Sequence, residues 1–135
     1  VDADAKDLNM TVLLMQHFAL PIPPDGVEDA RRFYGTLLGF KEIERPQEAS
    51  SHAGCWFSSG SVNLHLLGSE PFAPVTVGHP GLVVDDLAAL AKNLRAACAT
   101  VTDDTILFGH YRKKVHDPFG NMIELLEPVD GGHTL

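Results

Sequence analysis

The chain reads twice, and this internal repeat constrains its fold more than any other feature. A strand-like His17-Phe18-Ala19-Leu20 opens the first half, and His79-Pro80-Gly81-Leu82 opens the second. Each half closes on an apolar strand interrupted once by an ionisable side chain, Asn63-Leu64-His65-Leu66-Leu67 and Met122-Ile123-Glu124-Leu125-Leu126. Two copies of one small unit packed about a pseudo-two-fold axis would bring His17, His65, His79 and Glu124 together. Three imidazoles and a carboxylate suit a divalent metal of borderline softness.

The elements between these marks alternate in the same order in both halves. A strand over Met15–Ile22 is broken by Pro23-Pro24-Asp25-Gly26. Ala30, Phe33, Tyr34, Leu37 and Leu38 then recur at helical spacing over Asp29–Leu38, with Gly39 where a left-handed cap is wanted. Strands are expected at Phe40–Glu44, Gly54–Ser58 and Ser61–Leu67, the last two joined by a Ser59-Gly60 turn. After a linker, Phe72–Gly78, a strand over His79–Val84 leads to Asp85-Asp86, which caps a helix carrying Leu87, Leu90, Ala91, Leu94 and Ala97. Weaker strand signals follow at Thr105–Phe108 and Tyr111–His116, then the turn Asp117-Pro118-Phe119-Gly120 and a final strand over Met122–Glu127. The expected fold class is α+β: two βαβββ repeats forming an eight-stranded, partly closed mixed sheet with flanking helices. One domain spans 15–128, with repeats over 15–70 and 78–128, an extension before it and a tail from 129 to 135.

Strand alternation sets the direction of the four ionisable residues. His17 shares a face with Met15 and Ala19, while Phe18, Leu20 and Ile22 point to the helix side. Glu124 lies with Met122 and Leu126, His79 with Gly81 and Val83, and His65 with Asn63 and Leu67. An unpaired carboxylate among such neighbours is costly, and a metal supplies the compensating cation. Any one of these histidines alone reads as a hydrogen-bonded structural imidazole; their matched placement is what points to a metal. His52, His110, His116 and His133 have no matched counterpart and read as loop or surface residues. Trp56 and Phe57 are expected to pack the core of their strand, with Trp56 alternatively lining a cavity mouth. Arg112-Lys113-Lys114 reads as a solvated edge.

Composition narrows the partners. A net charge of -8 has the wrong sign for nucleic acid, whose binders neutralise phosphates with Lys and Arg. No apolar run approaches the ~20 residues of a membrane span, and no signal-peptide pattern is present, so a cytoplasmic location is expected. Cys55 and Cys98 lie far apart without metal or redox spacing, and read as reduced, mostly buried thiols.

Several motifs together resemble the vicinal oxygen chelate superfamily. They are His17 on the entry strand, Arg32-Phe33-Tyr34 running to Leu37-Leu38-Gly39-Phe40, His79-Pro80-Gly81-Leu82-Val83-Val84-Asp85-Asp86-Leu87, and Asp117-Pro118-Phe119-Gly120-Asn121 running into Ile123-Glu124-Leu125. That superfamily contains glyoxalases, fosfomycin-inactivating transferases, bleomycin-binding proteins and extradiol dioxygenases. The resemblance covers residues 15–128 and implies a metal held by His17, His65, His79 and Glu124. Glyoxalases usually carry a carboxylate where His65 stands, so His65 is either a third imidazole ligand or lies behind a His17-His79-Glu124 triad. Fosfomycin transferases carry Thr and Tyr where this chain has Ala19 and Lys114.

The function expected is that of a glyoxalase-like, metal-dependent lyase or isomerase. Its divalent ion, nickel, zinc, manganese, cobalt or iron, would take vicinal oxygens of a small-molecule substrate, with Glu124 as the catalytic base. The alternatives are an extradiol-dioxygenase-like iron enzyme and a metal-free protein that sequesters a drug or metabolite. A homodimer is expected, because superfamily members often complete their sites with strands from two chains.

Overall fold

The structure, a computed structural model, describes residues 11–49 and 51–131. His133, most of the N-terminal extension and the end of the tail lie outside the described residues.

Two four-stranded mixed sheets are built in the same way. The first half runs β1 (Phe18–Ile22), α1 (Val27–Ala30) continuing as a π-helical stretch (Arg31–Leu37), β2 (Lys41–Ile43), β3 (Gly54–Ser59) and β4 (Val62–Gly68). The second runs β5 (Gly81–Val83), α2 (Leu87–Ala96), β6 (Thr100–Asp103), β7 (His110–His116) and β8 (Met122–Pro128). The strand orders are β1-β4-β3-β2 and β5-β8-β7-β6. In each sheet the opening strand pairs parallel with the closing one and the other pairings are antiparallel. The repeat read from sequence is therefore a repeat of topology, and the eight strands fall into two open sheets with no closed barrel.

Period-two alternation gives each sheet one buried and one open face. Phe57, Leu64 and Leu66 are buried in the first sheet, and Val115, Ile123 and Leu125 in the second. They join Phe33, Tyr34, Leu87 and Leu94 in a single core between the sheets and the helices. Burying side chains of this size stabilises the fold by about 1.5–3 kcal/mol each. His65 and Glu124 stand on the opposite, open faces.

The turn at Asp117 does more than reverse the chain. The Asp117 carboxylate, buried in the core, accepts hydrogen bonds from the Tyr34 hydroxyl (2.7 Å), the Phe119 and Asn121 amides (2.9 Å each) and Asn121 Nδ2 (2.9 Å). Asn121 Nδ2 also donates to the Pro21 carbonyl (2.8 Å), and its Oδ1 accepts from the Val75 amide (2.8 Å). The cluster ties the second half to the π-helical stretch, β1 and the linker. Burial and the Asp117 charge together hold the Tyr34 phenol well above its ordinary pKa.

Several boundaries differ from expectation. β1 starts at Phe18 rather than Met15 and β5 at Gly81 rather than His79, so both leading histidines stand just outside their strands. The hairpin turn between β3 and β4 is Gly60-Ser61, one residue later than expected, with Gly60 at φ +59°. The strand expected at Thr105–Phe108 is instead β6 at Thr100–Asp103. Residues 105–109 form a tight loop bridged from Leu107 to His110, with Phe108 at φ +53°. Gly39 does adopt the left-handed conformation, at φ +82°. Cys55 is buried but Cys98 is exposed, correcting the expectation for the second thiol.

Candidate functional site

The four expected site residues stand as two pairs, one on the open face of each sheet. In the first sheet the parallel β1/β4 register sets Ala19 beside His65, which brings His17, two residues earlier, onto the same face. The two imidazoles stack with centroids 4.1 Å apart and planes 18° from parallel. Trp56, opposite His65 on β3, stacks on the other face of that ring at 3.6 Å and 4°. His65 thus lies between two rings, on the central strand β4. Partial burial, then the nearby His17, lowers the His65 pKa, which favours the neutral ring that a metal requires.

Trp56 does not pack the core, as sequence alone suggested, because alternation sends Phe57 inward and Trp56 outward. The hairpin register contained that signal, since Trp56 and His65 are directly paired.

In the second sheet Gly81 lies beside Glu124, and His79 precedes it by two residues. His79 Nε2 lies 3.2 Å from Glu124 Oε1, while His79 Nδ1 faces the Val77 carbonyl at 2.9 Å. A Cβ at position 81 would press on the Leu126 side chain at 3.3 Å but stand at ordinary contact distance, 3.9 Å, from Glu124 Oε1.

Glu124 Oε2 accepts a 2.7 Å hydrogen bond from an Arg112 terminal nitrogen. Arg112 also donates through Nε to the Thr105 carbonyl (2.9 Å) and pairs with Asp104 (3.3 Å). Its side chain is 12% exposed and that of Glu124 14%. Arg112 is therefore no solvated edge: β7 lies inside its sheet, and its guanidinium is the cation already resident at Glu124. The Arg112 hydrogen bond holds the Glu124 carboxyl below the ordinary range, against the upward push of burial.

Among the described residues, no three His, Cys, Asp or Glu side chains come together as a group that could hold a metal ion. The donor chemistry fits a borderline divalent ion, but one chain brings its donors together two and two. His52 and His110 lie away from both pairs. His52 offers its carbonyl to Arg45, and His110 Nδ1 meets the Phe108 carbonyl at 2.6 Å. His116 sits on β7 opposite Met122.

Residues 14–125 match the family model of the Glyoxalase/Bleomycin resistance protein/Dioxygenase superfamily. Among solved structures, the chain is 32% identical to a Bacillus anthracis protein assigned to the glyoxalase family, with a TM-score of 0.83, covering 89% of this chain and 98% of that one. It shares its fold with TnmS3, an antibiotic binding protein from Streptomyces sp. CB03234 (23% identity, TM-score 0.71, 89% and 99% covered). It also shares it with a lactoylglutathione lyase from Agrobacterium tumefaciens (21%, 0.66, 87% and 96%). No curated protein matches it. A repeated βαβββ fold, a family model matched over most of the chain and a relative at 32% identity agree: the chain belongs to the glyoxalase/bleomycin resistance protein/dioxygenase superfamily.

Proposed function

We propose that this protein is a metal-dependent enzyme of glyoxalase type that works as a two-fold homodimer with sites shared between chains. His17 and His65 of one chain would hold a divalent ion together with the partner subunit's His79 and Glu124. The observation behind this reading is the division of the donors into two pairs on separate open faces. Each pair is half a coordination set, and a two-fold axis that sets one sheet's open face against the other's completes two identical sets at once.

When bound, the ion supplies Lewis-acid polarisation of a substrate carbonyl chelated through vicinal oxygens. The residues of the chain do the rest. The Trp56–His65–His17 stack holds both imidazoles on one open face, and one of the two rings would turn out of the stack for both lone pairs to meet one ion. Glu124 is the one carboxylate among the described strand residues on the open face of the second sheet, and it takes the proton in this reading. While Arg112 holds Oε2, Glu124 is a weak base. Its basicity rises when that contact loosens.

Arg112 also favours a second reading. A carboxylate that already has a counter-cation needs no metal, so a metal-free pocket that sequesters a small molecule is the alternative. Metal content and complementation separate the two. Wild type should bind stoichiometric nickel, zinc, manganese, cobalt or iron, and His17→Ala and His79→Ala should each lose it. Unfolding and refolding those two variants together should restore one intact site per mixed dimer, detected by metal content and by turnover of an α-oxo aldehyde with thiol. Failure to restore binding would mean that the site lies within one chain. Wild type that takes up none of these metals would leave sequestration as the function.

A further inference from the structure

We infer that Arg112 is an internal competitor for the metal: its guanidinium occupies the cation position at Glu124, and divalent-ion binding must displace it. The inference rests on the reading of Glu124 as a ligand given above.

Three observations carry it. Arg112 contacts Oε2 of Glu124 at 2.7 Å while His79 contacts Oε1 at 3.2 Å, so both carboxylate oxygens are engaged. The guanidinium does not reach Glu124 by chance. Thr105 and Asp104, on the loop after β6, hold its Nε and its other terminal nitrogen, so the fork is pre-aimed at Glu124 from behind. The pair is also largely withdrawn from water, with 12% and 14% side-chain exposure, where like charges repel more strongly than at the surface. A carboxylate has lone pairs to spare. Geometry alone would therefore let a metal join Arg112, and it is repulsion between two cations on one carboxylate that makes them exclusive.

Lys114 does not duplicate this role. It stands opposite Glu124 in the β7/β8 register, but its ammonium is directed to Asp104 at 3.6 Å. The loop carboxylate thus steadies two cations, of which Arg112 alone contacts Glu124 among the described ion pairs.

The test titrates zinc, and separately nickel, against a chromophoric chelator for wild type, Arg112→Met and Arg112→Gln. Circular dichroism and thermal melts without metal accompany each titration. Both variants should bind metal at least about tenfold more tightly than wild type, and both should melt lower than wild type without metal because Glu124 loses its counter-cation. Two variants of different polarity guard against a folding defect in one. Metal binding by both variants but not by wild type would support the competitor role and overturn the metal-dependent function. Binding by wild type, with affinity unchanged or weakened in folded variants, would overturn the competitor role and leave that function standing. No binding by any of the three would overturn both.

Discussion

At the scale of single residues, burial divides the two cysteines that sequence treats alike. Cys55 on β3 faces the core, and burial pushes its thiol up to about 11. Only the thiolate is nucleophilic, so Cys55 should resist iodoacetamide at pH 8 in the folded protein while exposed Cys98 reacts. Mass spectrometry after limited alkylation checks this, and modification of Cys55 at a rate equal to that of Cys98 would contradict it. The linkage has a definite sign. A thiol whose folded pKa lies above its ordinary value of 9.0 contributes stability below pH 9 that is lost as the pH rises towards 11. The rigid period of a strand makes the open-face placement of His65 and Glu124 legible in the sequence, whereas His17 and His79 stand just before their strands, two residues upstream of Ala19 and Gly81. Sequence patterning misses Arg112 because three successive basic residues look like a solvated edge until β7 is known to be an inner strand. The hairpin turn at Asp117 nevertheless fixes the register: with Met122 opposite His116, Arg112 shares the face of Glu124.

At the scale of elements, the ends of helices and strands are where pattern reading and structure diverge. The first helix was legible as an apolar stripe, but its π-helical course was not, because adjacent Phe33 and Tyr34 fit either winding and tertiary packing buries both. The sequence points to the wrong place for β6 because Ile106, Leu107 and Phe108 form the more apolar run, yet the chain leaves them on an exposed loop while β-branched Thr100, Val101 and Thr102 form the strand. α2 begins as its sequence suggests, with the Asp86 carboxylate accepting from the Ala89 amide at 3.0 Å. Its far end is unusual. The Ala99 amide donates to the Leu94 carbonyl (2.9 Å), closing a Schellman turn with Cys98, a non-glycine residue, at φ +67° in the left-handed position. A side chain there costs about 1–2 kcal/mol. Glycine itself loses more backbone entropy on folding, so Cys98→Gly should raise stability by a net ~1 kcal/mol. Urea unfolding would show it as a higher midpoint at unchanged slope, and an unchanged or lower midpoint would mean the position is not strained.

At the scale of the whole molecule, the proposed dimer would give one exposed apolar segment a partner. The segment leading to His17 exposes Val12 (81%), Leu13 (77%), Leu14 (73%) and Met15 (75%), and four consecutive apolar side chains in water need a reason. The segment makes no strand pairing among the described residues, although its pattern predicts that β1 starts within it at Met15. A partner's surface is the covering that this proposal supplies, with the apolar segment anchoring His17 where the partner's half-site arrives. A stable interface buries roughly 1,200–2,000 Å² in total, and four such side chains can serve as its apolar centre. Wild type should therefore sediment at twice 14.6 kDa at micromolar concentration. Leu14→Asp, or Val12→Asp with Leu14→Asp, should yield a folded monomer, since the altered side chains lie outside the buried core. That monomer should lose the metal even though His17, His65, His79 and Glu124 are all intact, because no single chain then offers more than two donors to one ion. A variant that is monomeric by sedimentation, native by circular dichroism and still loaded with stoichiometric metal would show that the two pairs meet within one chain after all, and the shared-site dimer would be wrong.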